Sequence, residues 1–313
     1  GRALTAAGVA VEQLVAIGGG EQAKRLESAA RLYEALVRRN VERDTWLVSI
    51  GGGATSDVVG FAAATYLRGI PWVVVPTTVL GMADAAIGGK TGLDLPQGKN
   101  LVGAFWDPSA VVADLASLAT LPDRERRTGL AEAIKCAIIA EPALLDRISS
   151  MPSGAPIEWW RDVIAGAARV KAAIAGADPR ERGRRAVLNL GHTVGHALEA
   201  ASNYRLTHGE AVAVGIRAAG IISRSRGAWS TAEHVRVLNV IRSAGLPVFA
   251  KDAKLENVMT GLTHDKKIAD GRLRFVLPFA IGDVREGIEV DRVAAQDAVV
   301  ACLAPPNRSE LAG

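Results

Sequence analysis

The chain has 313 residues, 49% hydrophobic and 22% charged, with a formal charge of +4, which allows two packed domains and argues against a disordered chain. Its basic residues are interspersed with acids and no basic run is interleaved with aromatics, so a small anionic substrate suits the charge and nucleic acid does not. Two cysteines, Cys136 and Cys302, cannot build a disulfide framework or a Cys-based zinc site. Apolar runs such as AVAVGI are too short to cross a bilayer, and the first residues carry no secretory pattern, so a cytoplasmic protein without membrane contact is expected.

In chain order, LVAIGGG reads as strand and turn, and ARLYEALVRRN as a helix, its apolar positions recurring at helical spacing. WLVSI is a buried strand followed by GGG and a helix through DVVGFAAATYLRG; PWVVVPTT and SAVVADL are further strands. Strands alternating with helices imply a mostly parallel sheet. After LATLPDRE the texture turns helical, through TGLAEAIKCAIIA, IEWWRDVIAGAARVKAAIAG and a histidine-rich region, interrupted late by a strand-like RLRFVLPFAIG. We therefore expect an α/β, Rossmann-like domain over 1–122 and an α-helical domain over 123–313. The chain enters its first strand almost at once, so an opening part of the α/β domain is expected to be missing.

Three loops fall at the ends of successive strands. WLVSIGGGATSD places three glycines between strand and helix, where backbone N–H groups receive a pyrophosphate; residues 51–56 match G-x-G-x-x-G except for Ser56. GGGEQAK adds Glu21 and Lys24, and PTT adds Thr77 and Thr78. Parallel strand ends converge on one sheet edge, so the three together favour a nucleotide over three unrelated tight turns. ADAAIGGKTGLDLPQGKNLVGAFWDP reads as a flexible loop whose Lys90, Lys99 and Asn100 suit an anion, as does Arg68, although solvated surface charge explains any one of them. Asp84, alone among alanines, requires a partner.

Three of the five histidines lie within residues 188–210. His192 and His196 are one turn apart on a helix face, and His208 opens the next helix. Two imidazoles and one carboxylate, with a position left open, make a catalytic zinc site, and would leave the third histidine for proton transfer. Glu132, in an alanine-rich helix, is the candidate acid, with Lys135 beside it on the same face. Capping or packing histidines, with Glu132 simply paired to Lys135, explain the same spacing.

Taken in order, GGGATSDVVGFAAATYLRG, PTTVLGMADAAIGGKTGLDLPQGKN, LPDRERRTGLAEAIK, LNLGHTVGHALE and HGEAVAVG resemble the 3-dehydroquinate synthase family over nearly the whole chain. The resemblance implies a homodimer with NAD on the α/β domain and zinc, or cobalt in its place, on the helical one. It implies conversion of 3-deoxy-D-arabino-heptulosonate 7-phosphate to 3-dehydroquinate in the shikimate pathway, by oxidation, phosphate elimination, reduction, ring opening and aldol closure. Carried over position by position, the metal ligands are Glu132, His192 and His208, and His196 transfers protons. NAD lies on Glu21, Lys24, Gly53, Ala54, Thr55, Ser56, Asp57, Thr77, Thr78, Lys90, Lys99, Ser117, Leu118, Ala119 and Thr120. Substrate is held by Asp84, Lys90, Asn100, Lys135, Lys171, Glu181, Arg185 and Asn189, by Lys266 (with Lys267 the alternative), and by Arg68 across the dimer interface. Family members carry further N-terminal sequence, including a strand and an acid for the adenosine half. Two neighbouring activities are the alternatives: another sugar phosphate cyclase, such as an aminodehydroquinate synthase acting on an aminated form of the same substrate, and a metal-dependent NAD polyol dehydrogenase, which has no use for the phosphate-binding lysines.

Overall fold

The computed structural model describes residues 2–11, 15–264, 268–269 and 272–311. A short α1 (Arg2–Ala6) and a 3-10 turn (Glu21–Ala23) precede α2 (Leu26–Arg38), β1 (Leu47–Gly51), α3 (Gly53–Thr65), a second 3-10 turn (Tyr66–Arg68) and β2 (Trp72–Pro76). A π-helical turn (Gly81–Ala85) leads into β3 (Lys90–Leu95), β4 (Gly98–Phe105) and β5 (Ala110–Val111), and a 3-10 segment (Leu115–Thr120) closes this half. Strands β1, β2 and β5 form a parallel sheet in that order, Val48 opposite Val73 and Val74 opposite Val111. Helices α2 and α3 cover one face, burying Ala29, Leu32, Val58, Ala62 and Val74 in one core cluster. On the other face Val48 and Ile50 remain 41% and 54% exposed.

Several expectations need correction here. LVAIGGG forms no strand in its described residues 15–20. An apolar run becomes a strand only when a ladder satisfies its backbone, and among the described residues β1 pairs with β2 alone, with 15–17 outside the sheet. The supposed flexible loop over residues 83–108 is the end of the π-turn followed by an antiparallel hairpin, with Lys90 opposite Phe105 and Leu93 opposite Val102. Its glycines serve close strand approach: a Cβ on Gly103 would lie 2.5 Å from the Thr91 carbonyl oxygen. Helix α3 begins at Gly53, so residues 53–56 form its first turn. The strand expected over SAVVADL shrinks to Ala110–Val111.

The second half holds α4 (Asp123–Ala140), α5 (Pro142–Ser149), α6 (Ile157–Ala177), a 3-10 segment (Arg184–Asn189), α7 (His192–Ala201), α8 (His208–Ser225), α9 (Thr231–Ser243) and α10 (Leu255–His264). It ends with β6 (Ile268–Ala269), β7 (Arg272–Ala280), β8 (Asp283–Val290), α11 (Arg292–Cys302) and α12 (Arg308–Leu311). The strand-like RLRFVLPFAIG is β7, and it pairs antiparallel with β8, an element absent from the sequence reading. A second core cluster spans Val79 to Cys302, so Val79 and the π-turn residues Met82 and Ala83 pack with the helices rather than under the parallel sheet. No described helix is long and apolar enough to cross a membrane.

Candidate active site

Three helices bring the histidines and Glu132 together, and glycines set their spacing. A Cβ on Gly209 would sit 1.9 Å from the Thr128 carbonyl oxygen, and one on Gly215 would sit 1.9 Å from that of Gly191. Helix α8 therefore lies in backbone contact with α4 at one point and with the start of α7 at another. Thr207 caps α8 with a capping box to Glu210, and its hydroxyl meets that of Thr128 at 2.7 Å. Glu132 on α4, His192 at the start of α7 and His208 at the start of α8 are held by these crossings.

Glu132 is fully buried, and its Oε1 accepts no hydrogen bond. Facing that oxygen are Nε2 of His208 at 3.3 Å and Nε2 of His192 at 3.7 Å. His192 places Nδ1 3.2 Å from the Leu190 carbonyl, and His208 places Nδ1 3.2 Å from Oε2 of Glu199. With Nδ1–H donating to these oxygens, both Nε2 lone pairs point toward Glu132. One ligand atom from each of the three residues lies within 4.8 Å of the others. Two imidazoles that can each turn an Nε2 lone pair inward and a buried carboxylate oxygen without a donor form a set that a divalent cation completes. Burial, helped by Lys135, holds His192 well below its ordinary pKa and so neutral. Burial also works against charge on His208, but its contacts with Glu132 and Glu199 override this and raise it to about 10. The pocket thus favours positive charge at that position, whether a proton or a metal supplies it. His196 is exposed one turn along α7, its ring 5.2 Å from that of His192 and 5.9 Å from that of His208.

Beside this group lies a lysine cluster centred on Asp84. Lys171 reaches Oδ1 of Asp84 at 2.7 Å and Lys135 reaches it at 3.3 Å, while Lys135 also pairs with Oε2 of Glu132. Burial opposes ionisation of Asp84, yet the two ammonium groups lower its pKa below the ordinary value. Lys90 pairs with Glu181, which accepts from Nδ2 of Asn189 at 2.8 Å. Arg185, only 1% exposed, donates to the carbonyls of Gly88 at 2.6 Å and Pro179 at 2.7 Å, and its Nε has no partner.

Of the residues expected to bind a nucleotide, those of the first turn of α3 and Thr77 and Thr78 follow the ends of β1 and β2. The Thr77 N–H donates to the Gly51 carbonyl at 2.8 Å, the Gly81 N–H donates to Thr78 Oγ1 at 2.9 Å, and Ser56 Oγ donates to the Gly53 carbonyl at 2.8 Å. Lys24 pairs with Asp57 at 2.5 Å, and Lys99 bridges Glu21 at 3.1 Å and Glu199 at 3.3 Å. Asn100, expected with the substrate lysines, instead receives Lys24 and has its own N–H on Asp94 at 2.9 Å. Leu118 lies in the helical core, so the stretch from Ser117 to Thr120 can offer a ligand mainly backbone there. Arg68 is exposed on a left-handed turn, with Leu67 at φ 48° and Arg68 at φ 65°, and has no contact with the clusters above. Lys266 and Lys267 lie outside the described residues. Sequence reasoning missed Glu199; it stands seven residues after His192 and three after His196, a helical spacing that placed it within reach.

Comparison with known proteins gives a consistent result. The 3-dehydroquinate synthase N-terminal family matches residues 14–128, and the 3-dehydroquinate synthase C-terminal family matches residues 129–268. A 3-dehydroquinate synthase of Synechococcus sp. (strain CC9605) is 44% identical over 306 residues, covering 96% of this chain and 81% of the relative. Among solved structures, 2-epi-5-epi-valiolone synthase from Streptomyces hygroscopicus subsp. jinggangensis 5008, with NAD+ and Zn2+ bound, superposes with a TM-score of 0.83 at 31% identity, over 91% of this chain and 81% of that one. A 2-deoxy-scyllo-inosose synthase complexed with carbaglucose-6-phosphate, NAD+ and Co2+ also reaches a TM-score of 0.83, at 27% identity, over 90% of this chain and 80% of that one.

Proposed function

The chain belongs to the 3-dehydroquinate synthase family, and on that footing we propose that it converts 3-deoxy-D-arabino-heptulosonate 7-phosphate to 3-dehydroquinate and phosphate, a step of the shikimate pathway. The observation that carries the reading is the convergence of Glu132, His192 and His208 next to the Asp84, Lys135 and Lys171 cluster. Residues 1–122 form the NAD-binding unit and residues 123–313 the metal- and substrate-binding unit. Glu132, His192 and His208 would hold a divalent cation, zinc or cobalt, which when bound would acidify a substrate hydroxyl and polarise a carbonyl, while bound NAD would supply reversible hydride transfer.

The remaining work falls to side chains of this chain. Lys135 stays charged between Asp84 and Glu132 and presents an ammonium to a substrate oxygen. Lys171 and Arg185 carry fixed positive charge for the carboxylate and phosphate; the unpartnered Nε of Arg185 gives it a free donor. Lys90 and Asn189, held through Glu181, orient the same substrate, and fixed geometry lowers the entropic part of the barrier. His196, exposed beside the two ligating rings, moves a proton at the reacting hydroxyl. Glu21, Lys24, the first turn of α3, Thr77, Thr78, Lys99 and the Ser117–Thr120 backbone bind the nucleotide. Asn100, whose Oδ1 accepts from Lys24, also holds the substrate. The protein works in the cytoplasm as a homodimer, in which Arg68 turns outward to the substrate phosphate of the partner subunit.

Lys171, Arg185 and Asn189 together favour a carboxylate-bearing sugar acid over the substrates of other sugar phosphate cyclases. Recombinant protein supplied with NAD, zinc and the heptulosonate phosphate should release inorganic phosphate with no net NADH. Steady accumulation of NADH would identify a dehydrogenase instead.

A further inference from the structure

Glu199 is 4% exposed on α7, and its two carboxylate oxygens have separate partners. Oε2 lies 3.2 Å from Nδ1 of His208, the ring nitrogen on the side away from Glu132. Oε1 accepts from Nζ of Lys99 at 3.3 Å, and that ammonium also reaches Glu21 at 3.1 Å and lies 4.6 Å above the Tyr204 ring. His192 has only a neutral counterpart, the Leu190 carbonyl at its Nδ1. A carboxylate on the far nitrogen of a ligating imidazole fixes its tautomer and ring plane and makes the near nitrogen more basic.

We propose that Glu199 is a positioning residue of the metal centre, holding His208 with Nε2 toward the cation and itself held by Lys99. The inference rests on the reading that Glu132, His192 and His208 bind a divalent cation. Because Lys99 also bridges to Glu21, the hairpin that carries it ties the nucleotide side of the cleft to a metal ligand. A competing use of the same atoms is a second cation site made by His196, Glu199 and His208, whose ligand atoms lie within 4.8 Å of one another. That site would draw on the same Glu199 carboxylate and His208 ring that already meet each other.

The test is zinc affinity of the full chain, measured by competition with a chromogenic chelator, for wild type, Glu199→Gln, Glu199→Ala and Lys99→Met. Glu199→Ala should weaken zinc binding about 10- to 100-fold. Glu199→Gln, which keeps shape and an acceptor oxygen, should weaken it less, and Lys99→Met least. Zinc per chain at saturation should stay unchanged, and the visible ligand-field band of cobalt-loaded protein should shift in both Glu199 variants. Zinc affinities within twofold of wild type and an unshifted cobalt band in folded Glu199→Gln would overturn the inference. So would loss of a second zinc equivalent with the first unaffected. Wild-type protein that binds no zinc would overturn the parent reading as well, whereas normal wild-type binding with unaffected variants overturns this inference alone.

Discussion

Nζ of Lys171 stands 2.7 Å from Oδ1 of Asp84, the same oxygen that Lys135 reaches at 3.3 Å. One carboxylate on the π-turn thus fixes two ammonium groups from two helices, α4 and α6. Asp84→Asn leaves Lys171 without its counter-ion and Lys135 with Glu132 alone. The expected outcome is a fall in kcat/KM on the order of 100-fold from misplacement, and a stability loss of roughly 3 kcal/mol, read by steady-state phosphate release and by urea unfolding.

Close helix contact makes a second prediction. Gly215 leaves no room for a Cβ against the Gly191 carbonyl oxygen, where the distance would be 1.9 Å. Gly215→Ala must push α8 away from the start of α7 and so separate His208 from His192. Overpacking of this kind costs about 3 kcal/mol. The expected result is a lower melting temperature together with loss of bound zinc; an unchanged zinc content would mean that this crossing does not set the ligand spacing.

Why the sequence showed the histidine group so clearly is physical: His192, His196 and His208 are local in sequence, and helical spacing places them on neighbouring faces. Glu132 was legible for another reason, as an acid in an alanine-rich helix that needs a counter-charge. Non-local pairing was harder to read. LVAIGGG has strand composition but no neighbour in the sheet, and β8 becomes a strand through its pairing with β7. The β3–β4 hairpin looked like a ligand loop because glycines that permit close strand approach resemble glycines that admit a ligand. The contacts of Asn100 are equally non-local or backbone-dependent: with φ at 56°, it meets Lys24 and Asp94, which its motif does not reveal.

Gly88 adopts φ +91°, and a Cβ there would lie 2.5 Å from Nη2 of Arg185. Gly88→Ala therefore strains the turn and displaces the guanidinium that we assign to substrate anion recognition. Loss of one charge-assisted hydrogen bond is worth about 1.5 kcal/mol, so KM for the sugar phosphate should rise roughly tenfold. Zinc content should be unaffected, since Arg185 lies in the anion group and not among the ligands; metal analysis beside the kinetics checks both.

Far from the cleft, Arg217 donates to both oxygens of Glu310 at 2.7 Å, and His234 Nε2 lies 3.1 Å from one of them, tying α12 to α8 and α9. Burial would raise the Glu310 pKa, but Arg217 and His234 overcome it and bring the group down to about 2. A carboxylate depressed on folding stabilises the protein above its ordinary pKa and loses that contribution as pH falls toward the folded value. Glu310→Gln should cost roughly 3 kcal/mol at neutral pH, and its deficit should shrink between about pH 4.5 and pH 2. Urea unfolding at a series of pH values reads this directly. A deficit that stays constant across the window would contradict it.

The central claim is that one divalent cation sits among Glu132, His192 and His208, and metal analysis of purified protein tests it most directly. Wild-type chain dialysed against trace zinc should retain one equivalent, while His192→Ala and Glu132→Ala, each folded by circular dichroism, should retain almost none. Full zinc occupancy in both variants would place the metal elsewhere and contradict the account.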